Sequence, residues 1–283
     1  MSSSDDQADG STATRTSSRE STDGASAIDD EPASCFDGVA IKPAEVPVSR
    51  AGEVPFDTIT VDYEGHDHVP EVDTLAALGT ERTVRVTVPV RADGFDPLGD
   101  DGRLRALPAE TKSVLVAGHP AYLRAEERRR AVAPRFREAM ATVEDPWIGT
   151  EGVERIALAT GGPQFELLSE TTERDVRALR AAGFDGELAV YAPTVLTSDE
   201  DEILRALGGY VGRRSRVADR LPPGAETEAT ADGDARSILL AAAREYGLVG
   251  DAEEIADRAG RLRNAGVDTL IGYPARGLDE FVS

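Results

Sequence analysis

Apolar and polar positions along this chain switch repeatedly between a period of two and a period near 3.6. Phe56 to Tyr63 alternates as a half-buried strand does, and Val69 to Leu78 then reads as a short helix. Thr83 to Val90, dense in β-branched residues, predicts a second strand, and Ser113 to Ala117 a third. Between them, Arg91 to Glu110 carries Asp-Gly, Asp-Pro and Gly-Asp-Asp-Gly punctuation and reads as an irregular connection with one turn of helix. Leu123 to Val143 predicts a long helix rich in arginine and alanine, interrupted or kinked where Pro134 falls. Arg155 to Thr160 predicts a fourth strand, Thr171 to Ala182 a helix closed by Gly183, and Glu187 to Leu196 a fifth strand. Ser198, with Asp201 and Glu202 soon after, opens a helix over about 199 to 214. Leu221 to Gly233, rich in proline, glycine and acids, reads as an exposed loop, and about Ala235 to Tyr246 as a further helix.

The stretch from Tyr246 to Phe281 is the best specified. Gly250 breaks the chain, Asp251 caps a helix, and Glu253 and Glu254 lie in its first turn, where carboxylates oppose the positive helix end. Ile255, Ala259 and Leu262 share one face, Asn264 and Gly266 stop the helix, and Val267 to Ile271 follows as a short buried strand. Six strands alternating with helices predict an α/β fold with a parallel sheet. A closed barrel needs eight. The expectation is a parallel (β/α) barrel, TIM-barrel-like but reduced or distorted, or an open sheet. Further strands within 38 to 56 or 91 to 111 would supply the difference.

The run Gly-Asp-Ala-Glu-Glu-Ile, a helix, Ala-Gly-Val-Asp and a strand ending in Gly-Tyr-Pro resembles the C-terminal end of the bacterial luciferase-like family. Ala189-Val190-Tyr191-Ala192-Pro193-Thr194-Val195, with its acidic helix start, resembles the strand and helix before that family's variable loop. The resemblance covers roughly 185 to 281, with 221 to 233 standing where the family varies. It implies a (β/α) barrel and an oxidoreductase holding FMN or the deazaflavin coenzyme F420 at the strand ends. The N-terminal half departs from the pattern, lacking the family's Ser-x-Gly-Arg stretch and Leu-Gly-x-Gly strand. Several flavin-contacting strands of the family belong to that half, so the departure bears on the cofactor. A barrel that has lost its cofactor and serves as a binding or regulatory module is the alternative.

Composition adds a setting. The 283 residues divide into an acidic tail, 1 to about 34, too poor in large apolar side chains to order itself, and a single barrel-like domain over 35 to 283. The formal charge is −22, and of 31 basic residues only Lys42 and Lys112 are lysine. Acid-rich, lysine-poor composition of this kind resembles that of cytosolic proteins from halophilic archaea, whose carboxylate surfaces stay hydrated in concentrated salt. It counts against a nucleic-acid partner, since no basic stripe meets phosphates. Cys35 is the single cysteine, which excludes an intrachain disulfide. No apolar run approaches a membrane span, and the N-terminus has neither a basic head nor an apolar signal core. A small-molecule ligand in a cytoplasmic protein is the expectation, and the oligomeric state stays open.

Parallel α/β folds collect ligands at the carboxyl ends of their strands. Those positions hold Asp62, Glu64, His66 and His68 after the first predicted strand, Arg91 and Asp93 after the second, and His119 after the third. Thr160, Gly161 and Gly162 follow the fourth, Tyr191 and Thr194 belong to the fifth, and Tyr273 and Arg276 to the last. His66, His119 and Tyr191 are the candidates to position or protonate a substrate. Thr160, Gly161, Gly162, Tyr273 and Arg276 are the candidates to hold a cofactor, the glycine pair because its N–H groups approach a phosphate unobstructed, with a plain tight turn the alternative. Tyr191 and Trp147 also read as packing residues. His66, His68 and His119 are a candidate divalent-metal set, which would make the chain a metal-dependent hydrolase. The alternative is loop histidines that bond or stack locally, with His119 pinned before Pro120. No dinucleotide, P-loop or nucleophile-elbow signature is present.

Overall fold

The computed structural model describes residues 32–282, and the expected acidic tail lies outside them except for its end, which enters a short turn at Pro32–Cys35. Nine parallel strands are formed: β1 Gly38–Ile41, β2 Thr58–Val61, β3 Thr83–Pro89, β4 Thr111–Val116, β5 Trp147–Gly149, β6 Gln164–Leu167, β7 Leu188–Val195, β8 Leu248–Val249 and β9 Thr269–Pro274. Strands β1 to β7 pair in sequence, β7 pairs with β9, and β9 returns to β1, so eight strands close a parallel barrel. The two residues of β8 pair only with the carboxyl end of β7, at Thr194 and Val195. The barrel is therefore complete rather than reduced or open.

An inner cluster of Ala40, Val114, Trp147, Phe165, Ala189, Tyr191 and Ile271 fills the barrel. A second layer, with Val39, Ile41, Ile59, Val61, Val84, Val86, Val190 and Leu270, lies between the strands and the helices outside. Residues of opposite parity thus feed the two layers, which explains why the strands are apolar on both faces.

The seam between the two ends of the chain is stitched by acids that precede the strands. Asp37 donates its N–H to the Leu270 carbonyl at 2.9 Å, while its carboxylate accepts the Leu270 N–H at 2.7 Å and Arg263 at 3.0 Å. Asp268, of the Ala-Gly-Val-Asp run, repeats the device with Leu188, accepting its N–H at 2.8 Å and pairing with Arg180. Phe281 then packs on Phe36 and Phe56, with centroids 5.3 and 5.7 Å away.

Most of the predicted helices form. Ala252–Ala265 is capped as expected: the Asp251 carboxylate accepts the Glu254 N–H, Glu254 returns the bond, and Gly266 ends the helix at φ 117°. The structure corrects three expectations. Residues 155–160 are not a strand, because Glu154–Ala159 is a helix of good helix formers with Ala157 buried. The missing strands are β1, inside 38–56, and β5 and β6, while 91–110 contributes only the helical turn Gly102–Arg105. Strands as short as Trp147–Gly149, or carrying an outward acid as Glu166 does in β6, leave no apolar run to read. The helix of 123–143 is two, Ala125–Arg128 and Val132–Thr142. Pro134 sits in the first turn of the second, where an N–H has no helical partner to lose.

At the seam a Cβ on Gly38 would lie 2.5 Å from the Thr58 carbonyl oxygen and 2.8 Å from Ile271 Cδ1. Gly38→Ala is therefore expected to cost about 1–3 kcal/mol in a denaturant titration. An unchanged midpoint would show that the closure tolerates the wider spacing.

Candidate functional site

Closing the barrel brings four neighbouring strands, β7, β9, β1 and β2, to one side of its carboxyl mouth, and each delivers a polar side chain. Tyr191 of β7, 8 % exposed, donates its O–H to Asp62 Oδ2 at 2.9 Å, just past β2. Tyr273 of β9 stacks on Tyr191 with centroids 6.0 Å apart and donates its O–H to Glu45 at 2.6 Å. Lys42, immediately after β1, holds its ammonium 3.8 Å over the Tyr273 ring and 3.6 Å from Glu45. Glu64 accepts the Ala44 N–H at 2.8 Å, tying the loops after β1 and β2 together.

Burial pushes the Asp62 carboxyl up to about 6, with Glu64 and Glu45 adding to the rise and Lys42 and the Tyr191 hydroxyl opposing it. Burial and the Asp62 charge raise the Tyr191 phenol well above its ordinary value, and burial with the Glu45 bond raises Tyr273. Both phenols are donors at neutral pH, and Asp62 is poised to take or release a proton there.

Beside the mouth, a cleft of about 310 Å³ is lined by Glu64, His66, Tyr122 and Arg124 among others. A larger hollow of about 560 Å³ lies at the amino end, against the start of β4, and holds none of the strand-end residues. In the cleft His66 Nε2 meets Glu127 Oε1 at 3.0 Å. Glu127 is fully buried and also accepts the N–H groups of Asp93 and Arg124, at 2.8 and 2.6 Å. Burial acts to raise its pKa, but these donors and His66 together hold it below the usual range. Such a carboxylate fixes His66 as the donor at Nε2 and clips the loop after β2 to the helix Ala125–Arg128.

The structure separates the remaining expected site residues. His119 is exposed, its Nδ1 accepting the Ala121 N–H at 3.2 Å and its ring packing against Tyr122. His68 is exposed in the turn His66–His68. Among the described residues no group of three or more His, Cys, Asp or Glu side chains is placed to hold a metal ion. The set His66, His68, His119 is thus not assembled, because Glu127 takes His66 and the loop backbone takes His119. Thr160, Gly161 and Gly162 follow the helix Glu154–Ala159 and precede β6, so they lie at the amino end of the barrel, away from the mouth. Arg276 pairs with Glu280 at 2.9 Å and Glu202 at 3.1 Å. Of the expected catalytic, cofactor and metal candidates, Tyr191 and Tyr273 meet in the mouth, beside the strand-end acids Asp62 and Glu64.

Lys42, Glu45 and Glu127 were not among the expected site residues. Lys42 carried a signal: in a chain that writes its basic positions as arginine, one of two lysines stands at a strand end. Glu127, within a run of charges, carried none.

A family model described as a family of unknown function, DUF7388, matches residues 32–281. The chain belongs to that family. Comparison with curated proteins gives no match. Among solved structures, an F420-dependent secondary alcohol dehydrogenase in complex with an F420-acetone adduct is similar at a TM-score of 0.56, with 12 % identity over 85 % of this chain and 94 % of that one. Apo-MsnO8 is similar at a TM-score of 0.53, with 14 % identity over 87 % and 95 % of the two chains. At such identities the likeness is one of fold.

Asp62 generates a prediction for the DUF7388 chain. Its folded pKa, about 6, lies above the ordinary aspartate value of 3.8, so the folded state binds the extra proton and stability falls as pH rises between those values. Asp62→Asn is expected to match wild type below about pH 4 and to be more stable by about 1–3 kcal/mol above pH 6. Denaturant midpoints across that range check it, and a difference that does not grow with pH would contradict the assignment.

Proposed function

We propose that this chain is a divergent luciferase-like barrel protein that binds a small molecule at its carboxyl mouth and exchanges a proton with it through Asp62 and Tyr191. The observation that carries this reading is the 2.9 Å bond from the Tyr191 hydroxyl to a carboxylate pushed up to about 6. A ligand N–H or O–H that reaches the mouth gives its proton to the Asp62 carboxylate, and the protonated Asp62 returns it. Tyr191 keeps its own proton and steadies the charged form. Glu45, Asp62 and Glu64 gather around Lys42 there, an excess of carboxylates that favours a neutral or positively charged ligand over an anion.

An FMN or F420 group, expected from the resemblance, does not fit this donor set. Its phosphate would meet three carboxylates, the ring faces of Tyr191 and Tyr273 are stacked on each other or covered by Lys42, and the glycine pair lies at the far end. A flavin- or deazaflavin-dependent oxidoreductase stands as the second reading, favoured by the likeness to an F420-dependent dehydrogenase over most of both chains.

The acidic composition supports a salt-adapted archaeal cytosol as the setting, so the test is run in concentrated KCl. Titration with FMN and with F420, followed by fluorescence, is expected to show no saturable binding at high micromolar cofactor. A thermal-shift panel is expected to show stabilisation by amines or polyols that is weakened in Tyr191→Phe and Asp62→Asn. Tight binding of either cofactor that depends on Tyr273, or stabilisation confined to phosphates and carboxylates, would overturn the first reading in favour of the second.

A further inference from the structure

Inside the barrel, one row of the sheet leaves polar groups with nothing to bond. Ala40, Thr60, Arg85 and Lys112 are register partners across β1 to β4, so their side chains lie on one face. Ala40 belongs to the inner cluster, which makes that face the barrel interior. Thr60 is wholly buried and Arg85 is 6 % exposed. The Arg85 guanidinium carbon lies over the Trp147 ring, 3.8 Å from its centroid. Arg85 Nε and Nη1 and Thr60 Oγ1 are buried without any hydrogen-bond partner.

The carboxylates whose fields reach Arg85 are Glu187 and Asp145, and neither supplies an acceptor. Glu187 spends its oxygens on Trp147 Nε1 at 2.9 Å and Thr269 Oγ1 at 2.7 Å, and Asp145 pairs with Lys112 at 3.3 Å. The chain has 53 aspartates and glutamates, yet among the described residues none forms an ion pair with this guanidinium. A buried cation with unfilled donors is costly. Water would fill the donors, whereas a small anion fills them and adds a direct counter-charge to the more distant fields of Glu187 and Asp145. The cation–π contact with Trp147 holds the guanidinium in place, so Nε–H, on the side of the group away from Nη1, is a fixed donor in the barrel interior.

We propose that Arg85, with the Thr60 hydroxyl beside it, forms a binding site for a small inorganic monoanion of halide size inside the barrel. The site lies on the inner wall of β2 and β3, and shares no residue with the mouth. It stands whether or not the reading of the mouth holds.

Trp147 is the single tryptophan of the chain and lies against the guanidinium, so its emission reports the site directly. In the full-length protein, sodium gluconate is exchanged for sodium chloride at constant total salt while Trp147 fluorescence is followed. The expected result is a saturable response to chloride that is absent in Arg85→Met and roughly tenfold weaker in midpoint in Thr60→Val, with far-UV circular dichroism unchanged. Identical emission in the two salts up to molar chloride, or an equal response in folded Arg85→Met, would overturn the proposal. If Arg85→Met does not fold, the nearly isosteric Thr60→Val decides, and an unshifted midpoint overturns it. Crystals grown in bromide give a second readout: an anomalous peak between Arg85 and Thr60 supports the anion, and density there without anomalous signal assigns the space to water.

Discussion

Everything in this barrel depends on the meeting of its two ends. β1 has only one neighbour until β9 arrives from the far end of the chain, and the pairing is short, Gly38 with Ile271 and Val39 with Gly272. Asp37 lengthens it by bonding Leu270 in both directions, and Phe281 covers it from outside. The approach is close enough that Gly38 and Gly272 have no room for a Cβ, the latter because Phe281 and Phe36 already fill the space. Non-local pairing of this kind carries the largest loop-closure cost in the molecule, which accounts for the side-chain stitching concentrated there.

The mouth is a direct consequence. Lys42 and Asp62 come from the first strands, Tyr191 and Tyr273 from the last, and they touch only because the seam is closed. Without β9 beside β1 there is no ring under the Lys42 ammonium and no hydroxyl for the Glu45 carboxylate. Assembly also sets the chemistry. Asp62 would be an ordinary carboxylate in the open chain, and it is the surrounding wall that lifts it toward neutrality.

The wall running from β2 to β4 is built differently. There the loops after β2, β3 and β4 are joined by charge. Glu127 gathers His66 and two backbone N–H groups, Arg130 bridges Asp93 and Asp96, and Arg135 adds a second contact to the buried Asp96. Arginine suits this work because its planar fork satisfies several acceptors at once. The arginine-rich stretch 124–137 thus serves to lock loops, beyond its role as a solvated helix face.

How much of this was legible in sequence follows from the range of the forces involved. Local rules settled the helix Ala252–Ala265, whose Asp251 cap and Gly266 stop act within a few residues, and the β-branched run of β3. They placed Tyr273 near the end of its strand, and Tyr191 on the right strand although it stands in the middle of it. They failed for β5 and β6, whose three and four residues are held in the sheet by neighbours far away in the chain, and for Glu154–Ala159, where apolar residues serve a helix face. The misplacement of that one element carried Thr160, Gly161 and Gly162 to the wrong end of the barrel. Partner choice was the other gap: whether His66 faces a metal or Glu127, and whether Lys42 is surface or site, depends on distances between residues up to 231 apart, such as Lys42 and Tyr273. The sequence by itself determined a parallel α/β fold of alternating strands and helices, with a barrel and an open sheet both still possible. Only the tertiary structure decided which strand ends meet, because closure of the seam, rather than any local propensity, sets their neighbours.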